Sequence, residues 1–186
     1  MTDHTFVPPS LSIAGAGRLC QLLVRQVIQN DLPTLEWDGE YRHFRRLYRD
    51  IYHSACQGKA VLWVGDLENE GVIGQVFVQL DSARKELADG VSRAYIYGFR
   101  VRPKYRSQGV GGHMLQTVER DLTGRAFQFV TLNVGRENPD ARRFYERYGY
   151  QVVAAEPGRW SYLDDQANRR EVHEPAWRME KHLNRY

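Results

Sequence analysis

Apolar and polar positions alternate along this chain with two periods, one near two residues and one near 3.6, and the switches between them mark out its elements. Residues 19–28 are rich in Leu, Val and Ile without a breaker, which predicts a first strand. Asn30-Asp31 offers a helix cap ahead of Pro33, a residue tolerated in a first turn. Tyr41, Phe44, Tyr48, Ile51, Tyr52 and Ala55 recur at spacings of three and four, with Arg42, Arg45, Arg46 and Asp50 between them. That is one buried stripe of an amphipathic helix, closed by Gly58. Residues 60–64 and 72–80 are β-branched apolar runs that predict an antiparallel pair around a polar connection at 65–71. A further strand at 94–101 carries Tyr95, Tyr97 and Phe99 and ends ahead of Pro103. Val110, Met114, Leu115, Val118 and Leu122 form a second helical stripe that runs to Gly124, and a strand follows at 127–134. Asn138-Pro139 opens a third helix, with Ala141, Phe144, Tyr145 and Tyr148 before Gly149. Residues 150–155 and 172–179 predict closing strands around a polar loop at 156–171. This order of elements predicts a mixed α/β sheet with helices on its faces.

Composition narrows the picture. A chain of 186 residues fits one domain with a full core, and residues 1–17, with Pro8-Pro9, Gly15 and Gly17, read as a flexible tail before it. With 42% hydrophobic and 26% charged residues the chain is too apolar to stay disordered. A net charge of +3, with arginines and acids interleaved, is too weak for a nucleic-acid footprint. Cys20 and Cys56 match neither a metal spacing nor a disulfide framework, so no metal is expected and a reducing cytoplasm is the expected compartment. No apolar stretch is long enough for a bilayer, and the first ten residues lack the basic-then-apolar order of a signal peptide, so no membrane partner is expected.

The run Arg106-Ser107-Gln108-Gly109-Val110-Gly111-Gly112 lies between a strand and a helix. The first N–H groups of a helix lack internal acceptors and carry the positive end of its dipole. Glycines at 109 and 111 let an anion approach that backbone, with Arg106, Arg102 and Lys104 adding charge nearby. The alternative is a tight turn whose glycines serve packing alone. The chain lacks a suitably placed third glycine for a dinucleotide fingerprint and the Gly-Lys-Ser/Thr of a P-loop.

From Val101 through Gly112 the sequence resembles the acetyl-CoA signature of the GCN5-related N-acetyltransferase (GNAT) superfamily, a Val-x-Pro strand end followed by Arg/Gln-x-x-Gly-x-Gly/Ala. Leu132-Asn-Val134, then Asn138 to Tyr150 with its Tyr145 and Gly149-Tyr150, is similar to the family's later motif. Leu23-Val24-Arg25 and Asn30-Asp31-Leu32-Pro33 resemble its opening, so the likeness covers about residues 19 to 182. It implies a mostly antiparallel central sheet of about seven strands, with helices on both faces, over residues 18–186.

The resemblance also implies a reaction, acetyl transfer from acetyl-CoA to a primary amine, small-molecule or protein, by direct attack in a ternary complex. It places main-chain groups of Phe99, Arg100 and Val101 on the pantetheine arm and the acetyl carbonyl, and the 106–112 loop on the pyrophosphate. Asn138 becomes a pantetheine contact, though it would cap a helix regardless, and Tyr145 the acid that protonates the departing sulfur, though such an aromatic also packs. The general base departs from the family. Tyr95 and Asn133 stand where different members carry a glutamate, leaving a water relay through Tyr95, Tyr97 or Asn133, an amine that arrives neutral, or His173 or Glu174. Trp160, Tyr162, Asp164 and Asp165, with residues 173–177, form either an acceptor wall or a hairpin that completes the core. The missing glutamates also leave open a non-catalytic acyl-CoA-binding sensor or regulatory module.

Overall fold

The computed structural model describes residues 21–183, so the tail expected at 1–17 lies outside the described residues. Seven strands form one sheet in the order β1-β2-β3-β4-β5-β9-β6: β1 (Leu22–Gln26), β2 (Ala60–Leu67), β3 (Gly71–Gln79), β4 (Arg93–Val101), β5 (Phe129–Gly135), β6 (Gln151–Glu156) and β9 (Ala176–His182). All neighbours in it are antiparallel except β4 and β5. β7 (Arg159–Leu163) and β8 (Arg169–His173) pair separately as a hairpin.

The central strands are apolar on both sides because both faces are covered. In β2, Val61 and Trp63 join one core while Ala60, Leu62 and Val64 join the other. The first core lies under α2 (Val110–Gly124) and α3 (Pro139–Arg147), and the second under α1 (Arg45–Cys56). Met114, Leu115, Val118 and Leu122 of α2 have no exposed surface, and each such burial stabilises the fold by about 1.5–3 kcal/mol.

Four local expectations need correcting. The first strand is shorter than 19–28, spanning Leu22–Gln26 within the described residues. Residues Gln29–Glu36 form a 3-10 helix, and α1 starts only at Arg45, because Trp37, Asp38 and Gly39 all take positive φ and break the path between them. Asp31 caps backwards, accepting the Ile28 N–H at 2.8 Å. The β2–β3 connection is tighter than 65–71, since pairing with β1 carries β2 to Leu67 and left-handed Asn69 turns the chain. Finally, residues 172–179 are not one strand. Glu174-Pro175 divides β8 from β9, where proline brings no N–H to a ladder, and the polar loop holds the β7–β8 hairpin.

Candidate active site

A cleft opens where β4 and β5 part. Their pairing runs from Arg93↔Phe129 to Ile96↔Leu132 and then stops, although β4 continues to Val101 and β5 to Gly135. The cause lies in β4, where the register against β3 shifts between Tyr97 and Arg100. Gly98 takes φ +58°, and a Cβ there would come 2.7 Å from the Phe77 ring, so glycine is what permits this bulge. The bulge bends β4 away and leaves its β5-facing edge without a strand partner. It also sends Phe99 and Val101 toward the α2–α3 core, while Arg100 faces the α1 side.

The glycine run sits at the mouth of this cleft. Gly109, at φ +84°, is the cap residue of α2, and the first intrahelical bond runs from the His113 N–H to the Gly109 carbonyl at 2.9 Å. The N–H groups of Val110, Gly111 and Gly112 therefore have no intrahelical acceptor, no side chain caps them, and the first turn carries no acid. The three glycines do different work. A Cβ on Gly111 would meet only ordinary contacts at 3.6 Å or more, whereas one on Gly112 would lie 1.9 Å from the Tyr148 Oη. Gly112 is thus the seat on which α3 packs. Arg106 donates to the Val101 carbonyl at 2.9 Å, Gln108 to the Lys104 carbonyl at 2.6 Å, and Ser107 takes φ +57°.

The charges that precede the loop are directed elsewhere. Arg102 pairs with Asp38 at 2.8 Å and stacks on Trp37, and Lys104 pairs with Glu70 at 2.9 Å. The positive character at the helix start comes from the backbone and Arg106.

Tyr145 lies in the α2–α3 core, 8% exposed, with its ring 6.4 Å from Phe99 and 5.5 Å from Tyr150. Burial, aided by the Tyr95 hydroxyl across the cleft, pushes its phenol well above the ordinary range, so it stays protonated in neutral solution. Asn138 caps α3, its Oδ1 accepting the Ala141 N–H at 3.1 Å.

The opposite wall is built from side chains. Tyr95 and Tyr97 stack at 5.7 Å, and Tyr97 meets Phe77, which meets Tyr48. Burial pushes the Tyr95 phenol up to about 12. Asn133 lies beside the Tyr95 hydroxyl, and its Oδ1 is buried without a hydrogen-bond partner. The nearest substitute for the absent glutamate is Glu156, which acts on Tyr95 from β6. Both its oxygens accept from Arg84 at 2.9 Å, and Arg178 lies 3.3 Å away, so it is held as an ion pair rather than freed as a base.

The β7–β8 hairpin closes over this wall. Tyr162 packs on Phe44 at 4.8 Å, Trp160 on Phe44 at 6.3 Å, and Asp165 pairs with Arg42 at 3.2 Å. Asp164 turns inward, bonded to Arg170 and to the N–H groups of Gln166 and Asn168. His173 ends β8, and the Glu174 carboxylate rests against Gly135 at the end of β5. Arg84, Glu156, Arg178 and Gly98 had no sequence signal as site residues, since four separated segments supply them. Among the described residues no three His, Cys, Asp or Glu side chains are grouped to hold a metal, and no helix is long and apolar enough to cross a membrane.

A family model described as the acetyltransferase (GNAT) family matches residues 25–150. Among solved structures the chain is similar to Ard1 from Thermoplasma volcanium, with TM-score 0.66 and 18% identity over 89% of this chain and 99% of that one. It is also similar to Arabidopsis thaliana NAA60 in complex with acetyl-CoA, with TM-score 0.65 and 21% identity over 88% and 99%. The spermidine/spermine N-acetyltransferase SpeG from Vibrio cholerae gives TM-score 0.66 and 16% identity over 88% and 94%. At these identities the likeness establishes the fold. No curated protein sequence matches significantly.

Proposed function

The chain belongs to the acetyltransferase (GNAT) family, and from that premise we propose that it transfers an acetyl group from acetyl-CoA to a primary amine within a ternary complex. The observation that carries this reading is the β4–β5 gap aligned with an uncapped, acid-free helix start. The residues there fit the cofactor. The N–H groups of Val110, Gly111 and Gly112, with the Arg106–Gln108 turn, hold its pyrophosphate, and the free edge of β4 at Phe99, Arg100 and Val101 orients the pantetheine arm. Asn138 lies at the start of α3 with its side-chain Nδ2 still available to the same arm.

Bound acetyl-CoA supplies an activated thioester. Tyr145 holds a proton for the departing sulfur, which its raised phenol keeps at neutral pH. Tyr95 and the unpartnered Asn133 Oδ1 face the acceptor side, where they hold the amine or a water that takes its proton. Glu156 contributes charge to this wall but not a free base.

Calorimetry with acetyl-CoA tests the cofactor half: binding in the micromolar range is expected, and no binding at millimolar cofactor rejects the reading. Release of free CoA in the presence of an amine panel tests the transfer. The locked Glu156 favours one second reading, a non-catalytic acyl-CoA-binding module, which predicts cofactor binding without transfer to any amine.

A further inference from the structure

Of the four basic residues that alternate from β4 into the glycine loop, Arg102 and Lys104 have acids, Asp38 and Glu70, and Arg106 is turned back to the Val101 carbonyl beside the helix start. Arg100 differs. Its side chain leaves β4 on the α1 side, donates to the Tyr48 hydroxyl at 3.1 Å, and lies over the rings of Tyr41 at 4.1 Å and Phe44 at 5.3 Å. Among the described residues it has no carboxylate within ion-pair distance. A guanidinium carries five N–H donors in a planar fork that matches a carboxylate, and aromatic faces hold it in place without using that fork.

A second observation points the same way. Gln75, opposite Arg100 in the β3–β4 register, has no exposed surface, and its Oε1 is buried without a partner while its Nε2 reaches the Gly98 carbonyl only at 3.5 Å. The Gln75 amide group donates toward Tyr48, which leaves Oε1 as an orphan acceptor beside Arg100; it calls for a donor, such as the ammonium that accompanies a carboxylate in an amino acid.

The charges around the wall set the sign of that ligand. Arg84 and Arg178 balance Glu86 and Glu156. Glu36 is bound by Arg45, Asp165 by Arg42 and Asp164 by Arg170, while Glu40 acts on the Tyr41 hydroxyl. Arg100 remains as a half-buried cation without an acid of its own.

We propose that Arg100 anchors a carboxylate on the acceptor, so that the amine acetylated by this protein belongs to a molecule that also bears a carboxylate group, such as a free amino acid. A single guanidinium matches one negative charge; a phosphate dianion would leave charge unpaired in a partly buried site. Tyr41, Phe44 and Tyr162 wall the molecule's apolar part. Polycationic amines are repelled at the same spot. This inference rests on the acetyltransferase reading above.

The test uses the full chain, acetyl-CoA, and matched pairs of free amino acids and their carboxamides, with spermidine as a cationic control and CoA release as the readout. For the best pair, kcat/KM for the carboxylate member is expected to exceed that for the carboxamide by about tenfold or more, the scale of a charge-assisted hydrogen bond. Arg100→Gln is expected to bring that ratio to within about twofold, and Arg100→Lys, which keeps the charge without the fork, to leave an intermediate ratio. Thermal melting identifies the folded variants, and the wild-type ratio stands as a test without them. Carboxamides or spermidine acetylated as well as the free acids, no free acid acetylated at all, or an unchanged ratio in folded Arg100→Gln overturns the inference. Acetyl-CoA calorimetry on the same sample separates the two failures: binding with indifference to the carboxylate removes only this inference, while absent binding removes the acetyltransferase reading beneath it.

Discussion

The two walls of the cleft are made of different material. On the α2–α3 side the groups aimed into the cleft are backbone N–H groups at a helix start and the edge of a bulged strand, supported by a largely apolar core that holds Tyr145 among its buried tyrosines. On the α1 side they are side chains, namely Tyr95, Tyr97, Asn133, Arg100 and the Glu156 ion-pair cluster, drawn from β4, β5, β6, β9 and the β3–β4 connection and roofed by the β7–β8 hairpin. A backbone cradle recognises a constant feature such as a pyrophosphate and tolerates little change in its glycines. A wall of side chains can be altered one residue at a time, so one fold can keep a donor and vary its acceptors.

The largest effect that would test this contrast is at Tyr145, the side chain proposed above to protonate the departing sulfur. Tyr145→Phe keeps the ring packing and removes the proton, so kcat is expected to fall by about 100-fold, as for loss of a general acid, with acetyl-CoA affinity nearly unchanged. Unchanged turnover would reduce Tyr145 to a packing residue. Because burial raises its phenol above the usual value of about 10, wild-type kcat should show no falling limb from this group below about pH 10. A limb near pH 9 that disappears in Tyr145→Phe would contradict the geometry.

Adjacent glycines give the next comparison. Gly112→Ala places a methyl against the Tyr148 Oη, so that ring must shift from its seat on α2, at an expected cost of about 1–3 kcal/mol in urea unfolding. Gly111→Ala meets no such contact, so its unfolding free energy should stay within about 0.5 kcal/mol of wild type. Equal losses at both positions would mean that both glycines serve packing, which removes the distinction between them.

The smallest effect is expected at Lys104. Its charge is directed to Glu70, so Lys104→Ala should change acetyl-CoA affinity by less than about twofold, the scale of an exposed pair, in the same calorimetry. A tenfold loss would show that the charges ahead of the loop reach the cofactor after all.

Much of the donor side was legible in the sequence. Gly109 at a strand-to-helix junction, Asn138-Pro139 at a helix start and the Met114–Leu122 stripe are local signals, and each reports a backbone geometry or a buried face by itself. Some local readings failed for local reasons. Trp37 and Asp38 at positive φ gave no warning in a segment without a break before Gly39, and the bounds of the β7–β8 hairpin, one of the two readings of that stretch, were blurred because its faces are mostly exposed. The acceptor side was illegible for a different reason. Nothing at position 156 marks Glu156 until β6 brings it against Arg84 and Arg178, and nothing at position 100 separates Arg100 from Arg102 until the Gly98 bulge turns the strand.

The sequence by itself determined most of the order of the elements, the family and an acid-free helix start behind a glycine run, because periodicity, capping and turn chemistry act between residues a few positions apart. Only the tertiary structure decided where β4 and β5 separate, which basic residues around the gap find an acid, and that Arg100 meets aromatic rings instead. Those outcomes depend on charges and rings from distant segments meeting across a sheet, and no local pattern encodes them.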